Sequence, residues 1–193
     1  MKKLLTLIVS VLPAVFLNGC SVLPNKNAPE NIVVNEVKQD FGLIVISTGA
    51  DTGCFSEASW LKVIPSDKTY SDEEALIDVD GALFESDFTT HQGFLNVVSL
   101  KAGSYYLANQ IANPYVEAKK VPKFSFTVTP SKVTYLGEYY LTVSCSNSFV
   151  IGEFRNMFDR DIKLLKIRNL EVSEMEIDID IPQFSGYAIN DNE

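Results

Sequence analysis

The sequence predicts a mainly β domain, an antiparallel sandwich with one C-terminal helix. Short segments in which apolar and polar residues alternate recur along the chain, separated by turn residues. One segment near the C-terminus instead repeats its apolar residues at helical spacing. A length of 193 residues with 46% hydrophobic residues fits one globular domain that can bury a proper core. We find no internal repeat and no second hydrophobic domain.

Six short strands are predicted where alternation is bounded by turn residues. They cover residues 42–47, 59–64, 75–79, 94–100, 104–109 and 149–154.

The longest alternating run covers residues 132–145, and it follows a shorter one at residues 124–129. Pro130 and Ser131 lie between the two runs as a turn, so a hairpin is predicted. One face of the longer run carries Val133, Tyr135, Gly137, Tyr139, Leu141, Val143 and Cys145, and this face is expected to point inward. Gly137 marks a possible bend or bulge within the run.

The helix is predicted over residues 158–170, where Phe158, Ile162 and Leu165 recur at helical spacing. Acidic residues come early and basic residues late, which complements the helix dipole. A last strand is predicted over residues 175–181, with Met175, Ile177, Ile179 and Ile181 inward. The chain after Pro182 is expected to be loose, so the domain is placed at residues 41–184 and a tail at 185–193.

The N-terminus has the pattern of a secretory signal. Lys2 and Lys3 precede an apolar run over residues 4–16 that is too short to span a bilayer. The residues that follow, Leu17-Asn18-Gly19-Cys20, resemble the lipobox of bacterial lipoproteins. That resemblance implies cleavage after residue 19 and lipidation of Cys20, and Ser21 then suggests sorting to the outer membrane.

A lipid anchor sets further expectations for the mature chain. Removal of residues 1–19 takes away two lysines and no acid, so the net charge goes from -9 to -11. Two or more acyl chains give stable membrane attachment. Residues 20–40 are predicted to form the lipidated cysteine and a flexible tether, because the stretch is rich in asparagine and proline.

Cys54 and Cys145 remain as a pair once Cys20 is lipidated. In an oxidising compartment the natural hypothesis is a disulfide between them, and two separate buried thiols are the alternative.

A second resemblance covers about forty residues of predicted β-structure. Leu100-Lys-Ala-Gly103-Ser-Tyr-Tyr-Leu107, Phe124-Ser-Phe-Thr-Val-Thr-Pro130 and Val133-Thr-Tyr-Leu-Gly137 are similar to a pattern in uncharacterised bacterial envelope lipoproteins. The resemblance implies a transthyretin-like or immunoglobulin-like sandwich and no reaction, because it includes no catalytic residue.

Charge and composition argue against several functions. A formal charge of -9 disfavours nucleic-acid binding, and a single histidine excludes multi-histidine metal centres. Ser59 and Lys62 have S-x-x-K spacing, but they fall on a predicted strand that sends them to opposite faces. His91 is expected to be a solvent-exposed loop residue.

Two further groups of residues invite a binding interpretation. Acidic clusters suggest calcium, with residues 72–87 as the preferred place, although none matches an EF-hand loop and solvated surface charge is the better account. The clusters are Asp72, Glu73 and Glu74; Asp78 and Asp80; Glu85 and Asp87; and Glu176, Asp178 and Asp180. A row of tyrosines suggests a glycan or partner platform, although core packing is the more usual role: Tyr105, Tyr106, Tyr135, Tyr139 and Tyr140.

The sequence therefore predicts a non-enzymatic lipoprotein of the bacterial envelope, held by Cys20 in the outer membrane and acting as an interaction or assembly subunit for a protein partner. It predicts no cofactor and no metal site. The alternatives are a binding module for glycan or another envelope component, and, third, a hydrolase.

Overall fold

A computed structural model describes residues 32, 34, 37–51, 59–79, 85–111, 118–144 and 149–190. The strands and helices in chain order are β1 (Phe41–Ala50), β2 (Ser59–Pro65), β3 (Ala75–Asp78), β4 (Leu95–Lys101), β5 (Gly103–Ile111), β6 (Lys120–Val128), β7 (Val133–Ser144), β8 (Phe149–Arg155), α1 (Phe158–Arg168), α2 (Leu170–Ser173), β9 (Ile177–Ile179) and β10 (Gln183–Ile189). The predicted β-sandwich with a C-terminal helix is confirmed.

The strands form two sheets. In the first sheet the order is β4-β1-β7-β8, with β9 added to the edge of β7. In the second sheet the order is β10-β6-β5-β2-β3, and every pair in it is antiparallel. The pairs β1–β7 and β7–β9 are parallel, so the first sheet is mixed.

Three layers follow from where the apolar residues are buried. The main core lies between the two sheets and includes Ile44, Leu61 and Leu107. A second core lies between the outer face of the first sheet and the helices, where Val45 and Leu165 pack together. Central strand β1 is buried on both faces, which explains its continuous apolar run. No helix in the described residues has the length and apolar character needed to cross a membrane.

The predicted hairpin is wrong, because β6 and β7 belong to different sheets. The turn at Pro130 and Ser131 carries the chain from one sheet to the other, and Ser131 has a positive φ of 55°. Phe126 and Leu141 therefore belong to the same core from opposite sheets. Alternation indicates which side of a strand is buried. A hairpin and two facing sheets would bury the same side of β6 and β7, so the pattern could not distinguish them.

The prediction that one face of β7 points inward is also wrong, because the strand changes face at Gly137. The pairing with β1 shifts there, and Gly137 has φ +89°, so the expected bulge is confirmed. Before the bulge, Val133 and Tyr135 face the helices. After it, Tyr139 and Leu141 face the second sheet.

The C-terminal part of the chain departs from the prediction in two places. Residues 183–189 form β10 against β6, so the chain after Pro182 is not loose. The last predicted strand is shortened to β9, and Ile179 is half exposed instead of inward because β9 ends the sheet there. Met175, Ile177 and Ile181 do pack against the helix-side core, as predicted.

The tether is shorter than residues 20–40. Ile32 is buried in the helix-side core, and Val34 and Val37 pack against it. The side-chain amide of Asn169 donates to the carbonyl oxygen of Ile32 at 3.3 Å. Among the described residues of this stretch, Ile32, Val34 and Val37 thus contact the domain.

Candidate functional site

An exposed apolar surface lies on β10, which we call the β10 surface and define as Phe184, Tyr187 and Ile189. Their side chains are 55%, 57% and 49% exposed. Large apolar residues of a strand normally pack into a core. A group of three that is exposed to solvent is typical of an interaction site.

The bulge at Gly186 puts these three residues on one side of the sheet. Phe184 pairs with Phe124, but the register then shifts, so that Tyr187 pairs with Pro122 and Ile189 with Lys120. Ala188 points to the opposite face, where it is buried. The rings of Phe184 and Tyr187 meet edge to face with centroids 5.2 Å apart. The surface is therefore an ordered aromatic pair beside an aliphatic residue.

The backbone of β10 offers a second binding feature. β10 ends its sheet, and within the described part of the chain it pairs with β6 alone. Its sequence, Gln183-Phe-Ser-Gly-Tyr-Ala-Ile189, contains no charged residue and no proline, the usual devices that blunt an edge strand. The bulge alone interrupts it. Such an edge can accept another extended segment.

The charge beside β10 contrasts with that of the whole chain. Exposed Lys119 and Lys120 begin the neighbouring strand, and the Asn190 amide donates to the Lys119 carbonyl at 3.1 Å. Within the described residues, these two lysines place positive charge beside the end of β10.

A second notable feature is a buried polar group, which we call the Arg160 cluster: Ser47, Tyr135, Glu138, Arg160 and Asp161. Asp161 accepts hydrogen bonds from the hydroxyls of Ser47 at 2.5 Å and Tyr135 at 2.7 Å. Arg160 donates to Asp161 at 2.7 Å and to Glu138 at 2.8 Å. One guanidinium therefore pairs with two buried carboxylates and joins α1 to β1 and β7.

The cluster also affects the phenol of Tyr135. Burial, followed by the hydrogen bond to Asp161, raises the pKa of Tyr135 far above its usual range. Its oxygen in turn accepts the Met157 amide at 3.2 Å, just before the first turn of α1, so the start of the helix is fixed to β7.

His91 lies against this cluster, so the prediction that it is solvent-exposed is wrong. Its side chain is 9% exposed, and Nε2 lies 3.0 Å from a Glu138 oxygen. Its ring stacks on Phe88 and meets the edge of Tyr140. Gly49 is required beneath it, because an added Cβ would lie 2.7 Å from the imidazole.

The surroundings of His91 lower its pKa. Burial is the largest cause, and it is opposed by the charge of Glu138 and reinforced by the positive charges of Arg160 and Arg155. His91 therefore gives up its proton at a lower pH than a free imidazole does.

A hydrolase needs more than this arrangement provides. Thr90 Oγ1 lies 3.0 Å from Nδ1 of His91, so hydroxyl, imidazole and carboxylate follow in the order of a hydrolytic triad. However, Glu138 is already bound to Arg160, and the imidazole is packed between the rings of Phe88 and Tyr140. The geometry favours a structural role in holding the loop of residues 85–94.

Ser59 and Lys62 do not meet. Ser59 donates to Asn109 at 3.0 Å, whereas Lys62 contacts the Tyr70 carbonyl at 3.2 Å and Glu73 at 3.2 Å. The neighbours Leu61 and Val63 belong to the inter-sheet core, so the alternation of β2 separates the two side chains as expected.

The acidic clusters are largely engaged by neighbouring side chains. Asp72 accepts from Thr69, which lowers its pKa, and Asp87 binds Arg168 on α1. Asp178 pairs with Lys132 at 3.1 Å. Among the residues that the structure describes, no three acidic, histidine or cysteine side chains are grouped to hold a metal ion. Asp80 lies outside the described residues.

Four of the five tyrosines considered as a platform are buried: Tyr105, Tyr106, Tyr135 and Tyr139. Tyr140 is half-buried, and the guanidinium of Arg155 lies 3.9 Å from the centre of its ring. These residues therefore pack within the fold, and the exposed tyrosine is Tyr187, which the sequence did not single out.

The three cysteines, Cys20, Cys54 and Cys145, lie outside the described residues. Their predicted lipidation and disulfide stay predictions.

Comparisons with known proteins add little. No family model and no curated protein matches the chain. A likeness is found to the crystal structure of a proposed cell adhesion protein from Bacteroides fragilis, at 12% identity and a TM-score of 0.29. The match covers 61% of this chain and 46% of that one, so the chain spans less than half of that protein. A likeness of this size carries no argument about function.

Proposed function

We propose that the protein is a lipid-anchored subunit of the bacterial envelope, held by Cys20 in the outer membrane, that binds a protein partner through β10. The observation that carries the binding role is the β10 surface: three exposed apolar side chains on an uncharged edge strand. Natural edges usually carry charges or prolines, so an apolar edge that has neither, and is interrupted only by one bulge, supports a docking role. The anchor rests on the lipobox resemblance.

The partner we propose is an extended segment of another envelope protein that adds to β10 as a further strand. Main-chain hydrogen bonds to the edge of β10 that no described strand occupies would supply affinity, and alternate apolar side chains would pack on Phe184 and Tyr187. An acidic residue of the segment would lie near Lys120, which is exposed and pairs with Ile189. The glycan alternative loses support, because its predicted tyrosine row is buried.

Docking is tested in cells with a photo-crosslinking residue at position 187 and, as the matched control, at position 151. Ile151 is also half exposed but lies on β8 in the other sheet. We expect one specific crosslinked protein from position 187 and none from position 151. The crosslink should be lost with Lys120→Glu and restored when the acidic residue of the partner is changed to lysine. Equal crosslinking at both positions, or no response to the charge changes, would refute the docking role.

The anchor is tested separately by the mass and fractionation of the mature protein beside a Cys20→Ala variant. Acyl mass on the wild type, with outer-membrane partitioning that the variant lacks, is the expected result. An unacylated soluble wild type would remove the anchor and leave the β10 proposal standing.

A further inference from the structure

A second exposed apolar surface lies where α1 meets α2, in the helix layer that packs on the first sheet. Ile167 is 82% exposed and Leu170 57% exposed. Lys163 and Lys166 are also exposed and lie within one turn of Ile167 on α1. We call these four residues the helix corner.

The N-terminal segment joins the domain at this same place. Asn169 donates to the Ile32 carbonyl at 3.3 Å, and the Val34 amide donates to Glu171 at 3.2 Å. Leu170 thus lies between the two residues that hold the segment. The chain that leads back from residue 32 to Cys20 therefore starts beside the helix corner.

The length of that chain limits how the domain can sit. Eleven residues separate Cys20 from Ile32, and the flexible tether that the sequence predicts there would have a root-mean-square span of about 18 Å. A domain of roughly 150 residues is about 35–40 Å across. The tether is shorter than the domain, so the side on which it attaches stays close to the bilayer.

We infer that the helix corner is a membrane-contact surface, with Ile167 and Leu170 inserted among lipid headgroups and the two lysines beside lipid phosphates. The inference rests on the proposed lipid anchor. An apolar face flanked by lysine is the usual make-up of an interfacial helix. The mature chain carries a net charge of -11, so a bilayer with anionic lipid repels most of its surface. At the helix corner Lys163 and Lys166 offset the exposed Glu171 and Glu174, so this repulsion is reduced there.

This orientation agrees with the position of β10. The helices cover the outer face of the first sheet, and β10 belongs to the second sheet on the other side of the inter-sheet core. With the helix corner on the lipid, the β10 layer lies away from it and can meet a partner.

The test uses full-length lipidated protein in vesicles of phosphatidylethanolamine and phosphatidylglycerol that contain a brominated phospholipid. Trp60 is the single tryptophan, so Trp60→Phe supplies a silent background. Ile167→Trp then reports on the helix corner, and Tyr187→Trp on the β10 surface is the matched control. Both positions are exposed, so neither change disturbs a core.

We expect both variants to float with the vesicles, and bromine to quench most of the emission of Ile167→Trp and little of that of Tyr187→Trp. If the protein floats but the two variants are quenched alike, the helix corner does not contact lipid and the inference fails, while the anchor stands. If the protein has no acyl mass and does not float, the anchor and the inference both fail. Addition of Leu170→Ser to the Ile167→Trp variant should leave flotation intact and reduce the bromine quenching at position 167.

Discussion

Replacement of Arg160 by methionine should strongly destabilise the protein. Glu138 and Asp161 are both buried, and Arg160 is the guanidinium that pairs with both of them. Methionine keeps much of the side-chain length but leaves the carboxylates without a counter-charge. Breaking a buried ion pair on one side costs about 3–5 kcal/mol. Asp161 keeps its two hydroxyl donors, so we expect the lower end, about 3 kcal/mol.

The measurement is urea unfolding followed by Trp60 fluorescence, together with thermal unfolding. For a chain of this size, 3 kcal/mol corresponds to a fall in Tm of about 6–12 °C. Arg155→Met is the control for an arginine outside the cluster: Arg155 is 38% exposed, pairs with the half-exposed Glu153 and lies over the ring of Tyr140. A surface pair of this kind contributes about 0–1 kcal/mol.

The pH dependence gives an independent check on the same variant. The charge of Arg160 helps to lower the pKa of His91, whereas Glu138 at 3.0 Å raises it. Without the guanidinium, His91 takes up a proton at higher pH and partly replaces the lost charge. The deficit of Arg160→Met should therefore shrink between pH 7.5 and pH 5.5. If Arg160→Met costs no more than Arg155→Met, or if its deficit grows in acid, the account of the cluster is wrong.

Three further predictions concern other parts of the chain. Because the pKa of His91 is lowered in the folded protein, the unfolded chain binds more protons, and the free energy of unfolding should fall as the pH drops below about 6.5. Thermal unfolding of His91→Gln at several pH values should show no such loss of stability. Gly137→Ala should lower Tm more than Gly186→Ala, although both glycines have positive φ. A Cβ added at Gly137 would lie 2.6 Å from a carbonyl oxygen of β8, whereas a Cβ added at Gly186 would meet open space. Equal losses of Tm would contradict this prediction. A Cys54–Cys145 disulfide should add up to about 4 kcal/mol, so reduction should lower Tm, whereas alkylation of both thiols without reductant would disprove the bridge.

The sequence located most strands because each has a buried side that alternation reveals. It did not identify their neighbours: the same pattern at residues 124–129 and 132–144 suits a hairpin or two facing sheets. It also missed β10, because the bulge at Gly186 interrupts the alternation that Phe184, Tyr187 and Ile189 would otherwise display. A search that allows one extra residue at a glycine would have found that strand.

The Arg160 cluster could not be predicted, because its members are far apart in sequence. Arg160 and Ser47 are separated by 113 residues and meet at 3.1 Å. Each member taken alone looks ordinary: a serine on a strand, a glutamate on the expected polar face of β7, and an Arg-Asp pair early in a helix. The exposed position predicted for His91 failed for the same reason, since its partner Glu138 lies on a different element.

The Arg160 cluster and the two proposed surfaces depend on each other. A tether that holds α2 near the bilayer orients β10 only if the helix layer is fixed to the first sheet. Leu165 and Val172 provide apolar contact there, which is non-directional. Hydrogen bonds from Arg160 and to Asp161 add defined directions that set the angle of α1 on β1 and β7. In lipidated Arg160→Met we therefore expect flotation and bromine quenching at position 167 to persist, while crosslinking from position 187 weakens. Unchanged crosslinking would show that the helix layer does not set the orientation of the sandwich.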